Sequence, residues 1–199
     1  MGHTVERGPV SRRGLLKKGA AAVAALTAAS GRPSAASAQG AAGTPKNMRV
    51  SLAAYSVRQA LKAGDMDLFG FIDWCAEMDL SGAELTSYYF RENFDTGYLH
   101  ELKRRAHRQG VTISGTAIAN NFCHPPGEER RKQIDHVKQW IDHAVEFFAP
   151  HIRVFAGNVP DGVDNKTAIG WAAESMRECL DYAAEKGVFL GLENHGGVT

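Results

Sequence analysis

Five apolar, strand-like runs alternate with amphipathic helical segments between residues 48 and 199, and no other feature of the chain narrows its fold as much. The runs occupy 48–56, 82–86, 111–119, 152–156 and 188–193. Their starts fall about 30 to 40 residues apart, the length of a strand followed by a returning helix. Between them, hydrophobic residues recur at the period of a helix. Leu68, Ile72, Cys75 and Ala76 mark the first helix, and Leu99, Leu102 and Ala106 the second. Ile134, Val137, Ile141, Val145 and Phe148 mark the third, and Ile169, Ala172, Met176, Leu180 and Ala183 the fourth. Each stripe is predicted to face a core. Gly110 and Gly187 stand where two of these helices must stop, the place of a C-terminal cap glycine.

The runs are mainly apolar, as in strands covered on both sides, so the alternation implies an α/β fold with a parallel sheet and packed helices. An open doubly wound sheet and a (β/α)8 barrel both satisfy this. An open dinucleotide-binding sheet needs a glycine-rich turn after its first strand. Here that turn is Ala53-Ala54-Tyr55-Ser56-Val57-Arg58, with no glycine. Polar and aromatic residues follow every strand instead, like the loop ring around a barrel's site. The sequence therefore predicts a TIM barrel. A complete one takes about 250 residues, so the expectation is a C-terminally truncated barrel with the first five strands and four helices.

The N-terminal region reads differently. Ser11-Arg12-Arg13-Gly14-Leu15-Leu16-Lys17 sets two arginines ahead of an apolar stretch, 19–29, and Ala36-Ser37-Ala38 offers a small-residue cleavage site. That order predicts a twin-arginine signal peptide over 1–38, a small-residue linker over 39–47, and export to the periplasm. The apolar stretch is too short for the roughly 30 Å core of a bilayer, so no stable membrane insertion is expected. The whole chain holds 23 Lys/Arg and 22 Asp/Glu; six and one of these lie in 1–38, leaving 17 against 21, a net charge of −4. A mildly acidic domain of this kind lacks the footprint of a nucleic-acid binder. Cys75, Cys123 and Cys179 are an odd set for an exported chain, and no disulfide is expected.

The last apolar run ends in Glu193-Asn194-His195-Gly196-Gly197. A strand that delivers a carboxylate and an imidazole at its C-terminal end, then turns, is how parallel α/β folds build metal and catalytic sites. Together with Ser51-Leu52-Ala53-Ala54-Tyr55-Ser56, Gly82-Ala83-Glu84-Leu85-Thr86, Gly115-Thr116-Ala117-Ile118-Ala119-Asn120-Asn121-Phe122 and Arg153-Val154-Phe155-Ala156-Gly157, it carries a resemblance. Residues 48–199 resemble the xylose isomerase-like TIM barrels of the sugar phosphate isomerase/epimerase family, in its exported branch.

The resemblance implies one divalent metal, held by Glu, Asp, His and Glu from the ends of strands five to eight. It makes Glu193 the first metal ligand and places the other three beyond Thr199. Oxygen-rich ligation with one histidine suits Mn, Mg, Co or Zn. The implied reaction is proton abstraction beside a carbonyl or hydroxyl of a sugar or sugar derivative, through an enediolate, with the carboxylates Glu193 and Glu84 moving the proton. His195, Asn194, His124 and Tyr55 are candidates for binding substrate, and Tyr88, Tyr89 and Phe122 for stacking on a sugar face. Each has a plainer reading: a strand-end carboxylate paired with a cation, a solvated loop histidine, an aromatic that only packs. His136 and His143, off the apolar stripe of the third helix, read as surface histidines.

An isomerase or epimerase is therefore expected, with a keto-sugar or glycoside lyase or dehydratase as the alternative using the same proton abstraction. A related metal endonuclease is the weakest surviving reading, opposed by the negative charge and by Glu84 where a histidine ligand is wanted. A non-catalytic truncated product also remains open. A five-stranded sheet with two bare edges invites pairing, so oligomerisation is compatible with the sequence and the chain alone is expected to be inactive and poorly soluble.

Overall fold

The computed structural model describes residues 48–195 and Val198. The expected signal peptide and linker, and Gly196 and Gly197 of the last motif, lie outside the described residues.

All five expected strands form: the first and third are shorter at both ends than their apolar runs, the second matches its run, the fourth lies one residue earlier, and the fifth starts one residue later. They are β1 (Ser51–Ala53), β2 (Gly82–Thr86), β3 (Thr112–Ala117), β4 (His151–Phe155) and β5 (Phe189–Glu193). Every neighbouring pair is parallel, and the order across the sheet is the order along the chain. That order separates the two candidate architectures. A doubly wound sheet reverses direction at a switch point, whereas right-handed crossovers that always step the same way place every helix on one face, as in a barrel.

The connecting helices are α1 (Arg58–Ala63), α2 (Leu68–Glu77), α3 (Thr96–Gln109), α4 (Glu128–Glu146) and α5 (Asn165–Lys186). α1, which no periodicity announced, follows a 3-10 turn at Ala54–Val57. Asp67, Asp95 and Asp164 cap α2, α3 and α5 by accepting a backbone N–H of the first turn. Gly110 and Gly187 end α3 and α5 in the left-handed conformation at φ 70°.

The core lies between sheet and helices. Ala83, Leu85, Ile152 and Val154 from the strands meet Leu68, Ile72, Leu99, Leu102, Ile134, Val137 and Ile141 from the helices. Cys75, Cys123 and Cys179 are free and buried; burial pushes the Cys75 thiol up to about 11 and that of Cys179 to about 12.

Two helical stripes need correction. On α4, Val145 and Phe148 are exposed, at 40% and 71%, and Ala144 and Phe147 take their places in the core. The helix stops at Glu146 and Phe148 turns out at φ 62°, so the stripe cannot continue. On α5 the inward face is one of small residues: Ala168, Ala172, Ser175, Cys179 and Ala183. Ile169 and Leu180 point to the flank beyond β5, where they line an apolar groove of about 400 Å³ with Met176, Leu192 and Val198.

The sheet face away from the helices is built around His151. Its imidazole lies where a Cβ at Gly191 would sit, and its carbonyl and Nδ1 are 2.9 and 3.1 Å from the position of a Cβ at Gly115. On the same face the register slips between Ala83 and Glu84, leaving Ser114 unmatched in β2. Ser114 and Ser51 hydroxyls bond at 2.6 Å.

Candidate active site

Polar and aromatic side chains converge where the strands deliver their C-terminal ends, and Arg153 is the hub. Its neighbours Ile152 and Val154 are fully buried against the helices. The two-residue alternation of a strand therefore turns Arg153, with His151 and Phe155, to the opposite face. Nη1 of Arg153 donates to the Ile118 carbonyl at 2.7 Å, and Nη2 to the Tyr88 hydroxyl at 3.4 Å. The guanidinium lies over the Phe155 ring, 4.0 Å from its centroid. Its Nε is ion-paired with Glu193 Oε2 at 2.9 Å.

Glu193 reaches this place through register. Arg153 pairs with Gly191 and Phe155 with Glu193, so the carboxylate stands one step above the guanidinium on the same face. Both side chains are partly exposed, 17% for Arg153 and 40% for Glu193. Solvent screening limits such a pair to about 1 kcal/mol at most. Its effect is orientation more than stability.

The mouth is completed by loops. Asn120 extends the β3–β4 pairing beyond the strand end: its Nδ2 donates to the Phe155 carbonyl and its Oδ1 accepts the Phe155 N–H, both at 2.8 Å. Tyr88 and Tyr89 sit on a 3-10 turn directly after β2, ring centroids 6.2 Å apart. Tyr55, half exposed, has the Arg58 guanidinium 5.0 Å from its ring centroid. The Tyr89 hydroxyl is buried without a hydrogen-bond partner, a state that costs about 1–3 kcal/mol if nothing fills it. Burial, and then the neighbouring Tyr55, raise its pKa above the ordinary phenol range.

The remaining predicted residues take distinct places. Glu84 is on the same face as Glu193, half-buried, and accepts a 3.3 Å bond from the Thr86 hydroxyl. The continuous row Thr86–Ala117–Arg153–Gly191 puts Glu84 two residues below and Glu193 two residues above. The sheet thus assigns the two carboxylates to different layers. Exposed His195 packs its ring 5.1 Å from Phe155, so it stays at the mouth, and Asn194 is exposed beside it. His124 lies in the loop before α4, partly buried and near enough to Glu129 to act on it electrostatically. Phe122 is fully buried and is core.

Arg153 and Asn120 had been given no role from the sequence. Arg153 was visible as the one charge inside an otherwise apolar strand, and period-two alternation marks its side chain as facing away from the helices. Asn120 carried no such signal, because its role depends on the distance to β4.

Sequential parallel strands, helices on one face and a polar mouth at the strand ends define a (β/α) barrel of the kind that holds its site in the loops. The chain belongs to the xylose isomerase-like TIM barrel family, which matches residues 72–199. Solved structures share the fold. D-psicose 3-epimerase of Clostridium cellulolyticum H10 superposes with a TM-score of 0.56 at 19% identity, covering 62% of this chain and 46% of that one. The probable 3-DHS dehydratase AsbF of Bacillus anthracis gives 0.57 at 19%, covering 75% and 53%. The IOLI protein, solved with a zinc atom, gives 0.55 at 13%, covering 73% and 51%. The chain spans about half the length of these structures. No curated protein matches the sequence.

A divalent metal can be tested against the donors present. Glu193 is a hard oxygen donor at the correct end of β5, and it fits as one ligand. Among the described residues no group of three or more His, Cys, Asp or Glu side chains is placed to hold an ion. The Glu193 carboxylate is already ion-paired with Arg153.

Proposed function

We propose that the whole protein is a sugar isomerase or epimerase that moves a proton on a carbon next to a carbonyl. The observation that carries this reading is Glu193: a carboxylate at the end of β5, inside the loop ring, held in one orientation by Arg153. A divalent ion, when bound there, would polarise the sugar oxygen and acidify the adjacent C–H. The chain's own residues do the rest. Arg153, fixed by Ile118 and Phe155, aims Glu193 at the mouth. Tyr55 and Tyr88 offer half-exposed rings to the apolar face of a sugar. Glu84, two layers deeper, is the second carboxylate able to accept or return a proton.

The same abstraction opens an elimination if a leaving group stands on the next carbon, so a lyase or dehydratase is the second reading, supported by the dehydratase that shares the fold. Incubating the whole protein with Mn²⁺ and a ketohexose in D₂O tests both. Deuterium should enter the carbon beside the carbonyl, and Glu193→Gln should slow this by about 10²–10⁴-fold. An isomeric product identifies the isomerase, an unsaturated one the lyase; unchanged exchange in the Gln variant would refute the role of Glu193.

We further propose export by the twin-arginine route, supported by the arginine pair, apolar stretch and small-residue site in series. Residues 1–38 fused to a folded reporter should deliver it to the periplasm, and Arg12→Lys with Arg13→Lys should stop delivery. A reporter that stays inside regardless rules the route out.

A further inference from the structure

Among the described residues, one buried side-chain oxygen lacks any hydrogen-bond partner, and it lies in the candidate site: the Tyr89 hydroxyl. Most buried polar groups in native folds are paired, and a persistent exception has a reason, such as a water, an ion or a role in function. The location of this one is informative. The 3-10 turn of Ser87–Tyr89 begins where β2 ends, at the strand end that faces the mouth. Tyr89 packs its ring against the core, while Tyr55 and Arg58, after β1, and Tyr88 beside it act on its hydroxyl electrostatically. Tyr88 differs. Its hydroxyl already accepts from Arg153.

We propose that Tyr89 is a substrate-binding residue whose hydroxyl donates a hydrogen bond to a hydroxyl or carbonyl oxygen of the bound sugar. The proposal rests on the sugar-enzyme reading and deepens it by naming a specificity determinant. A phenol is protonated at neutral pH, and burial raises its pKa further, so it acts as a donor and not as a base. A site that hydrogen-bonds a substrate oxygen discriminates strongly against a ligand lacking that oxygen, because the buried partner is then left unpaired.

Tyr89→Phe in the whole protein tests this with two readouts. Thermal unfolding should occur at the same temperature or higher, because no bond to protein is lost. Binding of D-fructose, D-tagatose and D-xylulose, measured by calorimetry with Mn²⁺ present, should weaken about tenfold for whichever of them the wild type binds. A lower unfolding temperature would mean the hydroxyl has a protein partner, and an unchanged affinity would mean the sugar does not use it. Either overturns the proposal while leaving the sugar-enzyme reading intact. A wild type that binds none of the three sugars and exchanges no deuterium overturns that reading, and the role of Tyr89 with it.

Discussion

At the scale of single residues, the position of the carboxylate at 193 was legible because an apolar run that ends in Glu-Asn-His-Gly-Gly places a carboxylate at the C-terminal end of a strand. Its partner was not, because a salt bridge between strands depends on register, which the sequence leaves open. Arg153→Met should cost roughly 1–2 kcal/mol in urea unfolding, from the lost Ile118 carbonyl bond and the weak screened pair. Glu193→Gln should cost less than about 1 kcal/mol, so its loss of exchange activity would not be a folding effect. A larger urea effect for the Gln variant would make Glu193 structural. His151 gives a second prediction. A methyl at Gly191 would overlap its imidazole, so Gly191→Ala should destabilise by about 1–3 kcal/mol. His151→Ala in the same chain should recover most of that loss; no recovery would show that backbone strain, not the ring, is responsible.

At the scale of elements, strands and helices were legible because apolar runs and the helical period persist through whole segments. Which residues of a stripe face inward was less so. α5 turns Ala, Ser and Cys to the core and Ile169 and Leu180 outward, since close helix packing admits small side chains and the flank of β5 receives the large ones. The histidines of α4 were misread for a related reason: a polar side chain off the apolar stripe can still be covered by a neighbouring element. His136, half-buried, donates to the Ala119 carbonyl, and His143 packs 4.9 Å from Phe94 and 5.4 Å from Trp140. Burial lowers both pKa values, outweighing the acids near His143. The unfolded chain takes up these protons first as pH falls below the ordinary histidine value of about 6.5, so stability should drop from there toward the lower folded values. Thermal unfolding at pH 7.5 and pH 5.0 checks this, and His136→Gln with His143→Gln should shrink the difference. Glu178 on α5 adds a separate acid window. Bonds from Arg131 and then Lys138 on α4 hold it at about 2, so its contribution is lost below about pH 4.5.

At the scale of the whole molecule, the fold class was legible from spacing alone, and the sequential strand order decides between the two architectures that spacing left open. The apolar flank of β5 and α5 has a solution consequence. Ile169, Leu180 and Leu192 are 47%, 43% and 54% exposed around one groove, a patch that drives association. The 199-residue chain should self-associate at micromolar to millimolar concentration in sedimentation velocity, and Ile169→Lys with Leu192→Lys should reduce this. A wild type that stays monomeric throughout that range would contradict the prediction. Strand order also bears on how the protein is made. Because each strand docks beside the one translated just before it, no strand here waits for a distant partner, and the sheet can grow at one edge as the chain leaves the ribosome. The tyrosines on the first two turns would then be in position before the carboxylate at 193 has been synthesised, so the proposed sugar-binding wall precedes the proposed reacting group.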